Sequence, residues 1–278
     1  MQNISKEIDR AEELWLIDFH NHIYCNYSTS AWAESTYNNL LANEQKLLLS
    51  NNKNSFKKVR WGVVLAEHSG LNFFSPISNG KYSELPVVDK TKQWCTVRIK
   101  DREVVIFSAM QIVSREGLEF LTLTPTKLSN KGMNWQSIVH GSARAGEGVG
   151  ILWGIGKWWL KRRKTVEAII NYCKEEKIFL VLVDSRLRAS SFFFDNKFFS
   201  YKNNWVKTAA GSDPLPLQGD EKSSAQLASL CLLPRSLSKR EISLKNILSL
   251  SETIQTVGKR ESVFPVINYT VKSSFIWR

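Results

Sequence analysis

What most constrains this chain is a recurring pattern: short apolar runs of strand length, each ending at a cluster of polar or ionisable residues. Leu14 to Phe19 (LWLIDF) runs into His20-Asn21-His22, and Trp61 to Ala66 (WGVVLA) runs into Glu67 and His68. Such runs fit buried strands that deliver residues to a site. Further strand candidates are Val104 to Phe107, Leu118 to Thr124, Gly150 to Trp153, Phe179 to Val183 and Val206 to Ala210. Helical stretches separate them. Glu34 to Leu49 is stopped by Asn51-Asn52, and Lys157 to Lys177 sets Trp158, Val166, Ile169, Ile170 and Tyr172 against a basic face. This alternation predicts an α/β fold built on a mainly parallel sheet or barrel. Polar clusters at the C-terminal ends of strands lie where such barrels place their chemistry.

After Gln218 the pattern weakens into Ser/Lys/Arg-rich sequence with one amphipathic stretch, Leu244 to Val257. The expected organisation is a barrel domain over 1–217, with 218–278 as a basic C-terminal extension packed on the same domain.

The formal charge of +12 and the pI near 9.5 favour polyanionic partners, either a phosphorylated small molecule or nucleic acid. The alternative is a dispersed positive surface that only keeps the chain in solution. The cysteines Cys25, Cys95, Cys173 and Cys231 are scattered with no CxxC pair, which argues against a zinc ribbon or a disulfide framework. Their use fits reduced thiols in a cytoplasmic protein. The first fifteen residues mix charges and lack the apolar centre of a signal peptide. The apolar run Ile178 to Val183 is too short to cross a bilayer, so no membrane association is expected.

The sharpest local feature is Asp18-Phe19-His20-Asn21-His22. Residues two apart on a strand share a face, so His20 and His22 can grip one metal ion while Asp18, on that same face, orients or ligates. Gly154-Ile155-Gly156-Lys157 lacks the glycine spacing and the following Ser or Thr of a Walker loop. It remains a strand-to-helix turn at which Lys157 can hold an anion. Lys161-Arg162-Arg163-Lys164 is either a solvated basic face or a phosphate contact. His140 reads as an exposed loop histidine.

At this point the sequence resembles the PHP (polymerase and histidinol phosphatase) superfamily. LIDFHNHIYCNYS looks like its first motif, VVLAEHSGL its second, VVIFSAMQIVSREGLEFLTL its third and GSDPLPLQGDE its last, in the right order from about Leu14 to Glu221. The resemblance implies a distorted PHP-like (β/α) barrel with a metal centre that hydrolyses phosphoesters. Position by position, it makes His20, His22, His68 and Asp213 metal ligands and Asp18 and Glu67 their acidic neighbours. Asp18, Glu67 and Asp213 would be the catalytic carboxylates, and Lys157, Arg162 and Arg163 would bind phosphate.

The departures are as informative. Gln111 stands where the family has a bridging Glu, and Glu119 where its next strand opens with His. Trp153 and Gly154 stand where a mid-chain His is expected, and Pro214 and Leu215 follow Asp213 in place of x-His. A neutral amide cannot neutralise two adjacent cations as a bridging carboxylate does. What remains suits one divalent transition metal ion, at most two, with N/O ligation compatible with Zn, Mn or Fe. The alternative is a PHP-like fold that has lost catalysis and serves as a binding or interaction module.

Overall fold

The computed structural model describes residues 7–8, 11–50, 59–68, 70–124, 132–189, 197–199 and 204–262. In chain order it contains β1 (Glu13–Asn21), α1 (Thr29–Ser50), β2 (Val59–Glu67), α2 (Phe74–Ser78), β3 (Val87–Lys90), β4 (Trp94–Ile99), β5 (Arg102–Val113) and β6 (Glu119–Thr122). There follow α3 (Trp135–Arg144), β7 (Val149–Leu152), α4 (Lys161–Glu175), β8 (Leu180–Ser185), β9 (Val206–Gly211), β10 (Leu227–Leu233), α5 (Leu244–Leu250) and β11 (Thr253–Gly258). The strands form one 11-stranded sheet in the order β11-β10-β1-β2-β5-β6-β7-β8-β9, with the β3–β4 hairpin joined to β5.

The α/β class agrees with the sequence; the expected parallel character does not. The pairs β1–β2, β2–β5, β7–β8 and β8–β9 are parallel. The pairs β1–β10, β10–β11, β3–β4, β4–β5, β5–β6 and β6–β7 are antiparallel, so the sheet is mixed. Short connections force part of this: β3 to β4, β4 to β5 and β5 to β6 are joined by links of a few residues. Only Lys100 and Asp101 separate β4 from β5, and a link that short can join only antiparallel neighbours.

The sheet curls until its last strand meets its first. Ala210 N of β9 donates to Ser229 Oγ of β10 at 2.8 Å, and Asp213 N donates to His20 O at 2.7 Å. The result is a nearly closed barrel. Alternate residues of its strands fill the interior: Trp15, Ile17 and Phe19, Val64 and Ala66, Val105, Phe107 and Ala109, Val181 and Val183, and Cys231 and Leu233. The opposite parity of β1 (Leu14, Leu16) packs outward with Trp32 and Leu40 of α1. A third cluster places α3 and α4 over β6, β7 and β8 through Ile138, Val139, Val166, Ile169 and Ile170.

Two expectations about element bounds change. The helix read as Lys157 to Lys177 begins at Lys161, because Leu160 has φ 54° and cannot continue a helix. The segment after 217 supplies β10, buried at every position and paired with β1, as well as β11. With Leu237, Ile242, Leu244, Ile247 and Leu248, it also adds side chains to the barrel interior. The Asn51-Asn52 helix stop lies outside the described residues. No described helix is long and apolar enough to cross a membrane.

Thiol titration tests the packing. Cys25 is exposed, whereas Cys95, Cys173 and Cys231 are buried, and burial pushes each of these three thiols up to about 12. The native protein should show one thiol that reacts rapidly with Ellman's reagent, and three more should react only after denaturation. Two or more fast thiols in the folded chain would contradict this arrangement.

Candidate metal centre

A bulge in β1 sets the geometry. Between Asp18↔Val63 and Asn21↔Leu65 the first strand advances three residues while β2 advances two. One extra residue exchanges the two faces of a strand. Before the bulge Trp15, Ile17 and Phe19 face the interior; after it, His20 lies against an inward-facing residue of β5. His20 Nε2 is 2.9 Å from His22 Nε2 and 3.1 Å from Gln111 Oε1, and Gln111 continues the parity of Val105, Phe107 and Ala109.

The same bulge removes Asp18 from the face where strict alternation would put it. Its Oδ1 accepts His20 N at 3.0 Å and Ser212 N at 2.8 Å. Its Oδ2 accepts Asn21 Nδ2 at 2.7 Å, Ala225 N at 3.0 Å and the Ser212 hydroxyl. Burial pushes the Asp18 carboxyl above the usual carboxylate range, and these donors work against that shift. Asp18 is a clasp holding β1 to the chain after β9 and before β10, and its lone pairs are committed there.

Asp213 completes the cluster. Its Oδ1 lies 3.6 Å from His20 Nε2 and 3.8 Å from His22 Nε2. The approach depends on Gly211, where a Cβ would meet His20 N at 2.2 Å. Asp213 itself has φ 50°, a left-handed conformation that Asp tolerates better than most residues. Ser185 Oγ donates to its Oδ2 at 3.1 Å. The side chain of Asp213 is 16% exposed against 2% for each histidine, so the cluster opens on the Asp213 side.

The other residues singled out by the sequence lie around this group or apart from it. His68 stands beside it, its ring 6.1 Å from that of His22 and 6.0 Å from that of Tyr24, but it is not in the convergent set. Glu67 accepts the backbone N–H groups of Phe73 and of Phe74 (2.9 Å) at the start of α2. Lys157 pairs with Glu119, so the residue at a lost ligand position holds a lysine. Arg162 lies against Gly117 in the β5–β6 turn, and Arg163 pairs with Glu167 along α4 at 3.7 Å. His140 sits on α3, with its Nε2 2.7 Å from the Tyr172 hydroxyl. Sequence reasoning passed over Tyr24, whose ring is 5.4 Å from that of His22, and Ser185. Tyr24 follows the histidines at the same two-residue spacing, a signal that was available.

His20, His22 and Asp213 could together hold a metal ion, since one donor atom from each lies within 4.8 Å of the others. Two ligand atoms about 2.0–2.2 Å from a tetrahedral ion stand roughly 3.3–3.5 Å apart. The two histidine–aspartate spans are already near that separation, and the 2.9 Å histidine pair needs to open by a few tenths of an ångström. Electrostatics also fit. Burial first, then the neighbouring His20 and His68, hold His22 well below the usual histidine range, against an opposing hydrogen bond to the Ala66 backbone. A neutral imidazole is the form that binds metal.

Asp18→Asn separates clasp from ligand. An amide NH2 in place of Oδ2 would face three donors, so the variant should lose roughly 2–4 kcal/mol of unfolding free energy in urea, with or without added metal. Unchanged stability would mean that the carboxylate does not hold the barrel together.

No protein-family model matches the chain, and no curated protein is similar to it in sequence. Among solved structures, the fold is similar to that of PsfC from Pseudomonas syringae PB-5123. The TM-score is 0.53 at 10% identity, over 95% of this chain and 99% of PsfC. At that identity the likeness concerns the course of the backbone alone, and it extends over nearly the whole length of both proteins.

Proposed function

We propose that this protein is a divergent PHP-like phosphoesterase that holds one divalent transition metal ion, Zn, Mn or Fe, through His20, His22 and Asp213. The convergence of these three side chains on the side of the barrel that opens to solvent carries the reading. Such an ion, when bound, supplies a water of lowered pKa and polarises a phosphoryl oxygen.

The chain's own groups have distinct parts in this reading. His22, kept neutral, offers its Nε2 lone pair. Gln111, whose amide oxygen lies 3.1 Å from His20 Nε2, adds no negative charge, which favours one ion over two. The Lys157 ammonium acts electrostatically on His22 and binds a non-reacting phosphate oxygen on exchange from Glu119. Burial and the adjacent Asp213 keep Tyr24 protonated, so it donates to a substrate oxygen. Asp18 and Glu67, both engaged by backbone donors, serve the scaffold. The substrate is a phosphorylated small molecule or a nucleic acid.

A second reading, a metal-binding module without catalysis, is favoured by the Lys157–Glu119 pair, which occupies the lysine that acts on His22.

Elemental analysis of untagged protein should find up to about one transition metal ion per chain, and His20→Ala or His22→Ala should abolish it. With added Mn, wild type should hydrolyse a p-nitrophenyl phosphoester. Metal without hydrolysis would leave the binding module, and equal negligible metal in wild type and variants would reject both readings.

Two further variants test the assigned parts. Gln111→Glu is nearly isosteric and should raise metal occupancy at little cost in stability; destabilisation without added metal would remove Gln111 from the site. Lys157→Ala should raise KM for the phosphoester about tenfold or more with kcat little changed, as expected for a group that binds ground and transition states alike.

A further inference from the structure

Asp213 lies beyond the end of β9 with its side chain partly open to solvent, yet one carboxylate oxygen faces both histidines. What fixes that orientation is the last residue of β8. Ser185 is fully buried, and its Oγ accepts Leu187 N at 3.1 Å, which directs its proton to Asp213 Oδ2 at 3.1 Å. The backbone of Ser185 is fixed on both sides. Its N–H donates to Asp184 Oδ1 at 2.9 Å, and its carbonyl accepts Arg260 Nη1 at 3.1 Å.

Asp184 is itself locked. It accepts Arg188 Nε and Nη2, each at 2.7 Å, and it pairs with Arg260. The loop after β8 is joined to β9 by Arg186 N donating to Gly211 O at 3.1 Å. A rigid, charge-clamped segment therefore presents one hydroxyl to one carboxylate oxygen.

We propose that Ser185 is the positioning residue of the metal centre. Its hydroxyl occupies Asp213 Oδ2, so that Oδ1 alone is presented beside His20 and His22. The proposal rests on the reading that these three residues hold a metal ion. Outer hydrogen bonds of this kind are worth about 10–100-fold in metal affinity.

Zinc affinity of the full chain, measured by competition with a chromophoric chelator, tests it. Ser185→Ala should weaken zinc binding about 10–100-fold, and Ser185→Thr, which keeps the hydroxyl, should stay within roughly threefold of wild type. The metal-free Ser185→Ala chain should melt only a few degrees below wild type, the cost of leaving Leu187 N without its buried acceptor. Should that variant fail to fold, Ser185→Val, matched in shape to Ser185→Thr but without the hydroxyl, carries the same expectation. Wild-type affinity in the variant lacking the hydroxyl overturns the proposal, as does Ser185→Thr binding as weakly as Ser185→Ala. Failure of the metal reading looks different: wild type would then bind zinc no more tightly than His20→Ala.

Discussion

The barrel depends on one buried carboxylate. β9 and β1 do not share a regular ladder, and the gap between them is bridged by side chains and isolated backbone contacts. Asp18 accepts donors from the chain after β9, from the turn before β10 and from its own strand. Asn21 donates Nδ2 to the Ser224 hydroxyl at 2.7 Å and accepts Trp32 Nε1 of α1 at its Oδ1 at 2.8 Å. A charge enclosed in this way is costly unless every lone pair is engaged. Here each of its two oxygens has at least two donors, so closure of the barrel and satisfaction of the charge are one event. This clasp, with Asp213 N donating to His20 O, holds Asp213 beside the histidines.

The convergence of His20, His22 and Asp213 follows from two local irregularities. The bulge in β1 turns His20 inward, and Gly211 lets a second backbone come closer than any side chain would allow. Both are positions where regular strand rules fail, and such failures are expected to collect where a fold supports chemistry. The positive φ of Asp213 is a third, next to the other two in space.

Much of the scaffold was legible in the sequence because its signals are local. Leu14 to Phe19, Trp61 to Ala66 and Val206 to Ala210 are apolar runs of strand length, and each became a strand. The polar residues after them do collect at one end of the barrel. Less legible was whatever depends on pairing. VRIKDREVV contains a hairpin, but Lys100 takes the positive-φ position that Gly or Asn usually marks, so β4 was missed and the sheet read as parallel. LASLCLL is as apolar as the other strands; its Ser- and Arg-rich surroundings hid it, and its place beside β1 is a long-range fact. The assignment of Asp18 to the histidines' face failed for one reason: alternation assumes an unbroken strand, and a bulge has no reliable mark in a single sequence.

The C-terminal segment has a consequence for traffic. Leu237, Ile242, Leu244, Ile247 and Leu248 join the interior cluster with Trp15 and Leu233, at the end where β1 begins. The barrel is thus stoppered at one end and is a cup rather than a pipe. Among the described residues the cluster meets solvent at Asp213, so a ligand of His20 and His22 would enter and leave past that side chain. A polymer arriving there would offer a terminus or a protruding group rather than thread the packed interior. Departure of one molecule would then precede arrival of the next.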